Sequence, residues 1–189
     1  MLVDRILYPI TALGPGKRLV LWTVGCGKRC VQCANPELQK IDLSKNVELE
    51  LIEKMIGSIS GKIEGFTISG GEPLYQADEL LRLMEFMRSI SKDILLFTGY
   101  SIREIEEKRD VHIKTCIKLA SVVIAGEYID RLNDNTTGLV ASSNQEIIFQ
   151  DKQFRKAYED YISRGRTIQN VFFDNHMMSV GIHNTRRTI

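Results

Sequence analysis

No apolar run in this sequence is long enough to cross a bilayer, and no low-complexity segment, long linker or internal repeat interrupts it. The opening stretch, "MLVDRILYPITALGPGKR", carries Asp4 and Arg5 and is broken by Pro9, Gly14 and Pro15, so no secretory leader is expected there. Net charge is almost absent: 25 basic residues against 24 acidic ones leave +1. That balance gives no footprint for nucleic acid or an anionic membrane, and neither is expected as a partner. Cysteine is scarce as well, at four residues. A cytoplasmic location is expected, where thiols stay reduced and clustered cysteines point to metal binding or catalysis rather than disulfides.

What is present is ordinary in bulk. Apolar residues make up 43% and charged residues 26% of 189 residues, as in soluble globular proteins. One domain over residues 1–189 is expected, with a core of about 18–175 and a tail of 176–189. A chain of this size buries roughly 70% of its unfolded surface.

Apolar stretches of strand length alternate with amphipathic helical ones. "RLVLWTVG" (18–25), "GFTISGG" (65–71), "ILLFTGY" (94–100), "SVVIAG" (121–126), "QEIIF" (145–149) and "NVFFD" (170–174) read as strands. Residues 47–60, 77–90, 102–110, 113–120 and 152–165 carry helical spacing, the last closed by Gly165. This alternation implies parallel βα units in an α/β fold, with strands buried on both faces. About six units are too few for a complete eight-fold barrel. The choices are a partial (open) parallel βα barrel of about six strands or a doubly wound sheet. In either, ligands gather at the carboxyl ends of the strands. There the cysteine loop, the "GGEP" turn and the "TGY" turn all lie.

Three cysteines, Cys26, Cys30 and Cys33, fall in "GCGKRCVQCA" (25–34). Small buried hydrophobes are one reading, but two glycines, two basic residues and the lack of an apolar period describe a loop. A structural zinc site is another, yet it wants two ligand pairs. Cys116 sits alone on an amphipathic helix, where it reads as core. An iron–sulfur cluster held by thiolates suits a compact loop. Three cysteines would leave one iron of a four-iron cubane without a protein ligand, and an open position is how a metal site accepts a substrate or cofactor. Lys28 and Arg29 would favour the thiolate forms.

Cys-x3-Cys-x2-Cys after one strand and "SGGEP" (69–73) after the next resemble the radical S-adenosylmethionine superfamily. "CANPELQ" (33–39), "LFTGYSIREI" (96–105) and "GEYIDRLNDNTTGLVASSNQEIIF" (126–149) resemble its activating proteins of anaerobic ribonucleotide reductase, with a weaker echo in "MMSVGIH" (177–183). Gln32 stands where the wider superfamily has an aromatic residue, one that these activators often also lack. Ala125 replaces an Asp that is common before the glycine, and no Arg precedes the Ser142–Ser143 pair.

The resemblance implies a partial barrel of this type, with Cys26, Cys30 and Cys33 holding a 4Fe-4S cluster whose fourth iron chelates S-adenosyl-L-methionine. Reductive cleavage then gives a 5′-deoxyadenosyl radical, which takes a hydrogen from a glycine of a partner. Cofactor contacts are implied for Gln32, Ala34 and Asn35, for Gly70, Gly71, Glu72 and Pro73, for Thr98, Gly99 and Tyr100, and for Asn144. Gly70 and Gly71 would let backbone approach a ligand closely, and Glu72 would accept from its ammonium. The implied partners are a glycyl-radical enzyme, the anaerobic ribonucleotide reductase large subunit, and a low-potential electron donor such as flavodoxin or ferredoxin.

Plainer readings stand beside these. "GGEP" alone is a strand-to-helix turn with Pro73 near the first helical position, and "TGY" closes a strand. Asn144 and Gln145 could hold their loop; Glu127 and Tyr128 are open to both readings. A histidine at 176 or 183 could meet the cofactor's carboxylate or a partner, but both are expected in a solvated tail. Trp22, Met84 and Met87 are expected in the core. A radical enzyme acting directly on a small molecule or peptide is the second functional reading. The chain has no cysteine after Cys116 for the auxiliary clusters many peptide-modifying relatives carry. A non-catalytic metal-binding or electron-carrier module is the third.

Overall fold

The computed structural model describes residues 1–173 and 175–184. Asp174, which ends the last expected strand, and 185–189 of the expected tail lie outside them. Strands β1 (Val3–Ile10), β2 (Arg18–Thr23), β3 (Gly65–Gly70), β4 (Ile94–Thr98), β5 (Val122–Ala125) and β6 (Glu146–Phe149) form one sheet in chain order. The α/β expectation holds, and four strands, β2 to β5, are parallel. A sheet wholly of parallel strands does not. Both edges run antiparallel: β1 against β2 and β6 against β5. β6 reverses because 126–145 contains only a short helical turn, Asp130–Leu132, and no crossover helix to carry the chain back. β1 carries no clear strand signal in the sequence because polar residues and Pro9 interrupt it, and an edge strand tolerates a proline that a central strand would not. The spatial order never reverses, so there is no switch point of the doubly wound kind.

Helices α1 (Leu49–Ser58), α2 (Ala77–Ile90), α3 (Ile102–Glu107) and α4 (Val111–Leu119) cover one face. α2 shows why. Leu80, Leu83, Met84 and Met87 recur at three- and four-residue intervals and are fully buried. They meet Leu19 and Leu21 of β2, Phe66 and Ile68 of β3, and Leu96 of β4 in one core. Each such side chain contributes roughly 1.5–3 kcal/mol relative to exposure. Cys116 is in this core, as expected. α3 opens on a capping box between Ser101 and Glu104, and α4 on the Asp110 carboxylate, which accepts from the backbone of His112 and Ile113.

The opposite face is covered by α5 (Arg155–Ile162), whose Tyr158 packs on Leu95, Val122 and Ile124, and by β7 (Ile168–Phe173) paired with β8 (His176–Gly181). Trp22 lies on this side with Val20 and Val180. The expected strand at 170–174 therefore belongs to a separate hairpin rather than to the main sheet, and 176–181 is a strand rather than a solvated tail. Alternation along 168–181 explains it: Val171, Met178 and Val180 turn to the core while Phe172 and Met177 face outward.

A buried polar cluster ties the amino ends of the strands. Arg18 is wholly buried, and its guanidinium donates to Asp93 at 2.6 and 3.2 Å, to Thr67 Oγ1 at 2.7 Å, and to the carbonyls of Pro15 and Phe66. The Tyr158 hydroxyl donates to Asp93 at 2.7 Å. The cysteines lie at the other end.

Candidate functional site

β2 ends at Thr23, and the chain enters the cysteine loop through Gly25, whose φ of +99° favours glycine. The loop folds back on its own exit: Gly25 N–H donates to Leu38 O at 2.8 Å and Cys26 N–H to Gln39 O at 2.9 Å. The "GGEP" turn is stitched to this entry. Gly71 N–H donates to Thr23 O and Glu72 N–H to Gly25 O, both at 2.8 Å. A Cβ on Gly71 would lie 2.4 Å from Gly25 O, and one on Gly70 2.2 Å from Thr23 N. The close approach these glycines permit is thus to the backbone that launches the cysteines.

Glu72 has no exposed surface. Its Oε1 accepts from Leu74 N at 3.0 Å and Thr98 Oγ1 at 2.9 Å, and its Oε2 from Gly99 N at 2.7 Å. Expected to receive a ligand's ammonium, the carboxylate instead straps the end of β3 to the end of β4. Burial pushes it up to about 7, against the opposing hydrogen bonds from Gly99, Leu74 and Thr98.

These strand ends surround a cavity of about 590 Å³, within the range of small-ligand sites. Cys26, Cys30 and Cys33 line it with Gln32, Ala34 and Asn35 from the same loop. Gly70, Gly71 and Glu72 line it from β3, and Thr98 and Gly99 from β4. Three expected residues stand off. Pro73 is buried at the start of the short helical turn Pro73–Gln76. The Tyr100 ring packs 6.4 Å from that of Tyr75, with the Lys28 and Lys108 ammonium groups over it at 4.9 and 4.0 Å. Asn144 donates to Glu127 O at 2.8 Å, bracing the loop behind the wall. Gln145 does the same from inside, accepting from Ala141 N and donating to Gly126 O.

The thiols are free and partly exposed. Burial pushes Cys30 up; a backbone hydrogen bond from Tyr128 opposes this, while Cys33, Glu127 and Cys26 add to it. Lys28, expected to favour thiolates, is turned to Glu104.

Glu127, Tyr128, Gln145 and His183, open to both readings in the sequence, line the cavity too, and the rest of the wall lies beyond the expected contacts. Ser69 and Phe97, the latter on β4, follow from the strand-end rule applied one or two residues earlier. Asp130, Asn133 and Ala141 come from the 126–145 excursion, and Gly181 to Asn184 from the end of β8. The echo in "MMSVGIH" was the signal for the last group, which includes His183. His176, on β8, is exposed and does not line the cavity. Arg166 joins the two groups. It donates to Asn133 Oδ1 at 2.6 Å, to His183 O at 2.8 Å, and to Ala141 O at 3.3 Å. Asn133 in turn donates to the Tyr128 hydroxyl, which donates to Asp130.

A family model described as a 4Fe-4S single cluster domain matches residues 12–148. The chain belongs to this family. The 4Fe-4S single cluster domain so defined holds the three cysteines, the "GGEP" turn and the "TGY" turn. Among curated proteins, the anaerobic ribonucleoside-triphosphate reductase-activating protein of enterobacteria phage T4 is 31% identical over 131 residues, 66% of this chain and 80% of that protein. Its namesake from Vibrio cholerae is 28% identical over 148 residues, 74% of this chain and 93% of that protein. The pyruvate formate-lyase-activating enzyme of Staphylococcus aureus is 29% identical over 147 residues, 73% of this chain and 57% of that enzyme. The chain is an enzyme of the radical S-adenosylmethionine activase type, as the resemblance implied.

The residues present fit a cluster. Three free thiols share one cavity, and Cys116 is buried elsewhere, its Sγ 3.5 Å from Ala77 O. Among the described residues no three His, Cys, Asp or Glu side chains close on a single ion. A cubane needs no such convergence, because its irons are spread over its corners. No helix among the described residues is long and apolar enough to cross a membrane.

Proposed function

We propose that this chain installs a glycyl radical on a partner enzyme, an anaerobic ribonucleoside-triphosphate reductase. Cys26, Cys30 and Cys33 hold the cluster, and the cavity beside them takes S-adenosyl-L-methionine. Bound there, the two would supply the radical chemistry needed to remove a hydrogen from the partner's glycine. The observation that carries this reading is the meeting of the cysteine loop, the "GGE" turn and the "TG" turn around one cavity of about 590 Å³, in a chain whose relatives bear activating-protein names. The chain's residues keep that geometry fixed. Gly71 and Glu72 set the entry of the cysteine loop, Glu72 ties two strand ends together, and Gln145 and Arg166 brace the far wall.

The parallel strands β2 to β5 form the open barrel of this enzyme type, the cell compartment is the cytoplasm, and the electron comes from a low-potential donor protein such as flavodoxin or ferredoxin. The test is anaerobic. Reconstituted protein, reductant, S-adenosylmethionine and a candidate reductase should give a glycyl-radical EPR signal on the reductase, absent with Cys30→Ala. Cleavage of S-adenosylmethionine with no such signal on any candidate partner would favour a small-molecule or peptide substrate instead.

A further inference from the structure

The cysteine loop has a second side. A groove there, also of about 590 Å³, is bounded by Cys26, Gly27, Arg29, Lys40, Ile41 and Tyr75. Cys26 borders both this groove and the cavity described above. We infer that this groove docks an acidic, low-potential electron-transfer protein, an inference that rests on the activase reading.

Charge is the first support. Residues 26–45 hold Lys28, Arg29, Lys40 and Lys45 against Glu37 and Asp42, a net +2 in a chain of net +1. Lys28 pairs with Glu104, Lys45 with Asp4, and Glu37 lies 3.7 Å from Arg5. Arg29 and Lys40, both exposed, make no ion pair among the described residues. Two cations outside any close ion pair thus line the groove, Lys40 also acting at longer range on Asp42, and the Arg29 backbone sits at φ +51°, sparsely populated for a side-chain-bearing residue. The same groove offers apolar surface: Ile41 is 59% and Tyr75 48% exposed. A small apolar centre with a charged rim suits weak, rapidly exchanging electron-transfer complexes, whose encounter is steered by complementary charge.

Position is the second support. The partner's glycine must reach the cavity walled by Glu72, Gly99 and Tyr128, so the groove side remains free for another protein. One electron leaves the donor, oxidising its flavin or iron–sulfur centre by one, and enters the cluster at the three cysteines, reducing it by one. No proton or group is transferred.

The test uses the reconstituted holoprotein, flavodoxin hydroquinone as probe, and Lys40→Glu and Ile41→Glu, both at solvent-exposed positions. Stopped-flow reduction by flavodoxin at low ionic strength should slow about tenfold in Lys40→Glu, with the difference shrinking at high salt. Flavodoxin binding measured by surface plasmon resonance should weaken in both variants. Dithionite-driven 5′-deoxyadenosine formation should match wild type. Equal reduction rates and equal affinities for wild type and both variants would overturn the docking surface while leaving the activase reading intact. No dithionite-driven cleavage by the wild type would overturn the activase reading, and the docking inference with it.

Discussion

Glutamine at position 72 should flatten the pH dependence of this protein's stability. Burial raises the Glu72 carboxyl from 4.5 to about 7, outweighing three hydrogen bonds from the chain and the nearby Lys28. The native chain therefore holds this proton more tightly than the unfolded chain does. Its contribution is fully present below about pH 4.5 and is lost as pH rises through 7. At 1.36 kcal/mol per pH unit, the gap between 4.5 and about 7 amounts to about 3 kcal/mol, of which about 2.5 kcal/mol falls between pH 5 and 8. The variant keeps one acceptor oxygen for Leu74 and Thr98 but turns an amide towards Gly99 N–H. That mismatch costs about 1–3 kcal/mol at low pH. Urea denaturation from pH 5 to 8 checks it. The wild-type midpoint should fall relative to the variant's as pH rises, with the slope m unchanged. Parallel pH profiles for the two proteins would refute the assignment of this titration to Glu72.

Arg18→Met should destabilise the fold by about 3–5 kcal/mol, because it strands the Asp93 carboxylate in the core; thermal and urea melts read this directly. Arg166→Ala should raise amide hydrogen exchange at 177–183 while leaving β2 to β5 protected, since only the cavity wall loses its brace. Gly71→Ala should lower the iron bound after reconstitution more than it lowers the melting temperature. Its Cβ would press 2.4 Å from Gly25 O and 2.8 Å from Leu38 O, both at the root of the cysteine loop.

The helices and parallel strands were legible because their signals are local. α2 writes its buried face as Leu80, Leu83, Met84 and Met87 within three turns, and β2 to β5 are short apolar runs ended by small or polar residues. β1 was not legible, because an edge strand needs no continuous apolar run and Pro9 masks it. β6 was legible as a strand but not in its direction, which depends on what the 126–145 excursion fails to contain.

At the site, the loop cysteines and both strand-end turns were legible as motifs. The partners of Glu72 were not: Thr98 and Gly99 stand 26 and 27 residues away, and only the sheet brings them to its carboxylate. Arg18 and Asp93, 75 residues apart, are a longer instance of the same limit. No motif marks Arg166 in the sequence, yet its guanidinium gathers two distant segments into the cavity wall.

The most direct measurement is the yield of 5′-deoxyadenosine. The chain is reconstituted anaerobically with iron and sulfide, reduced, and given S-adenosylmethionine, with Cys30→Ala and Cys116→Ala treated in parallel. Wild type and Cys116→Ala should both form 5′-deoxyadenosine and methionine, and Cys30→Ala neither. No 5′-deoxyadenosine from the wild type, or equal yields with and without Cys30, would contradict the assignment of radical chemistry to the three-cysteine loop.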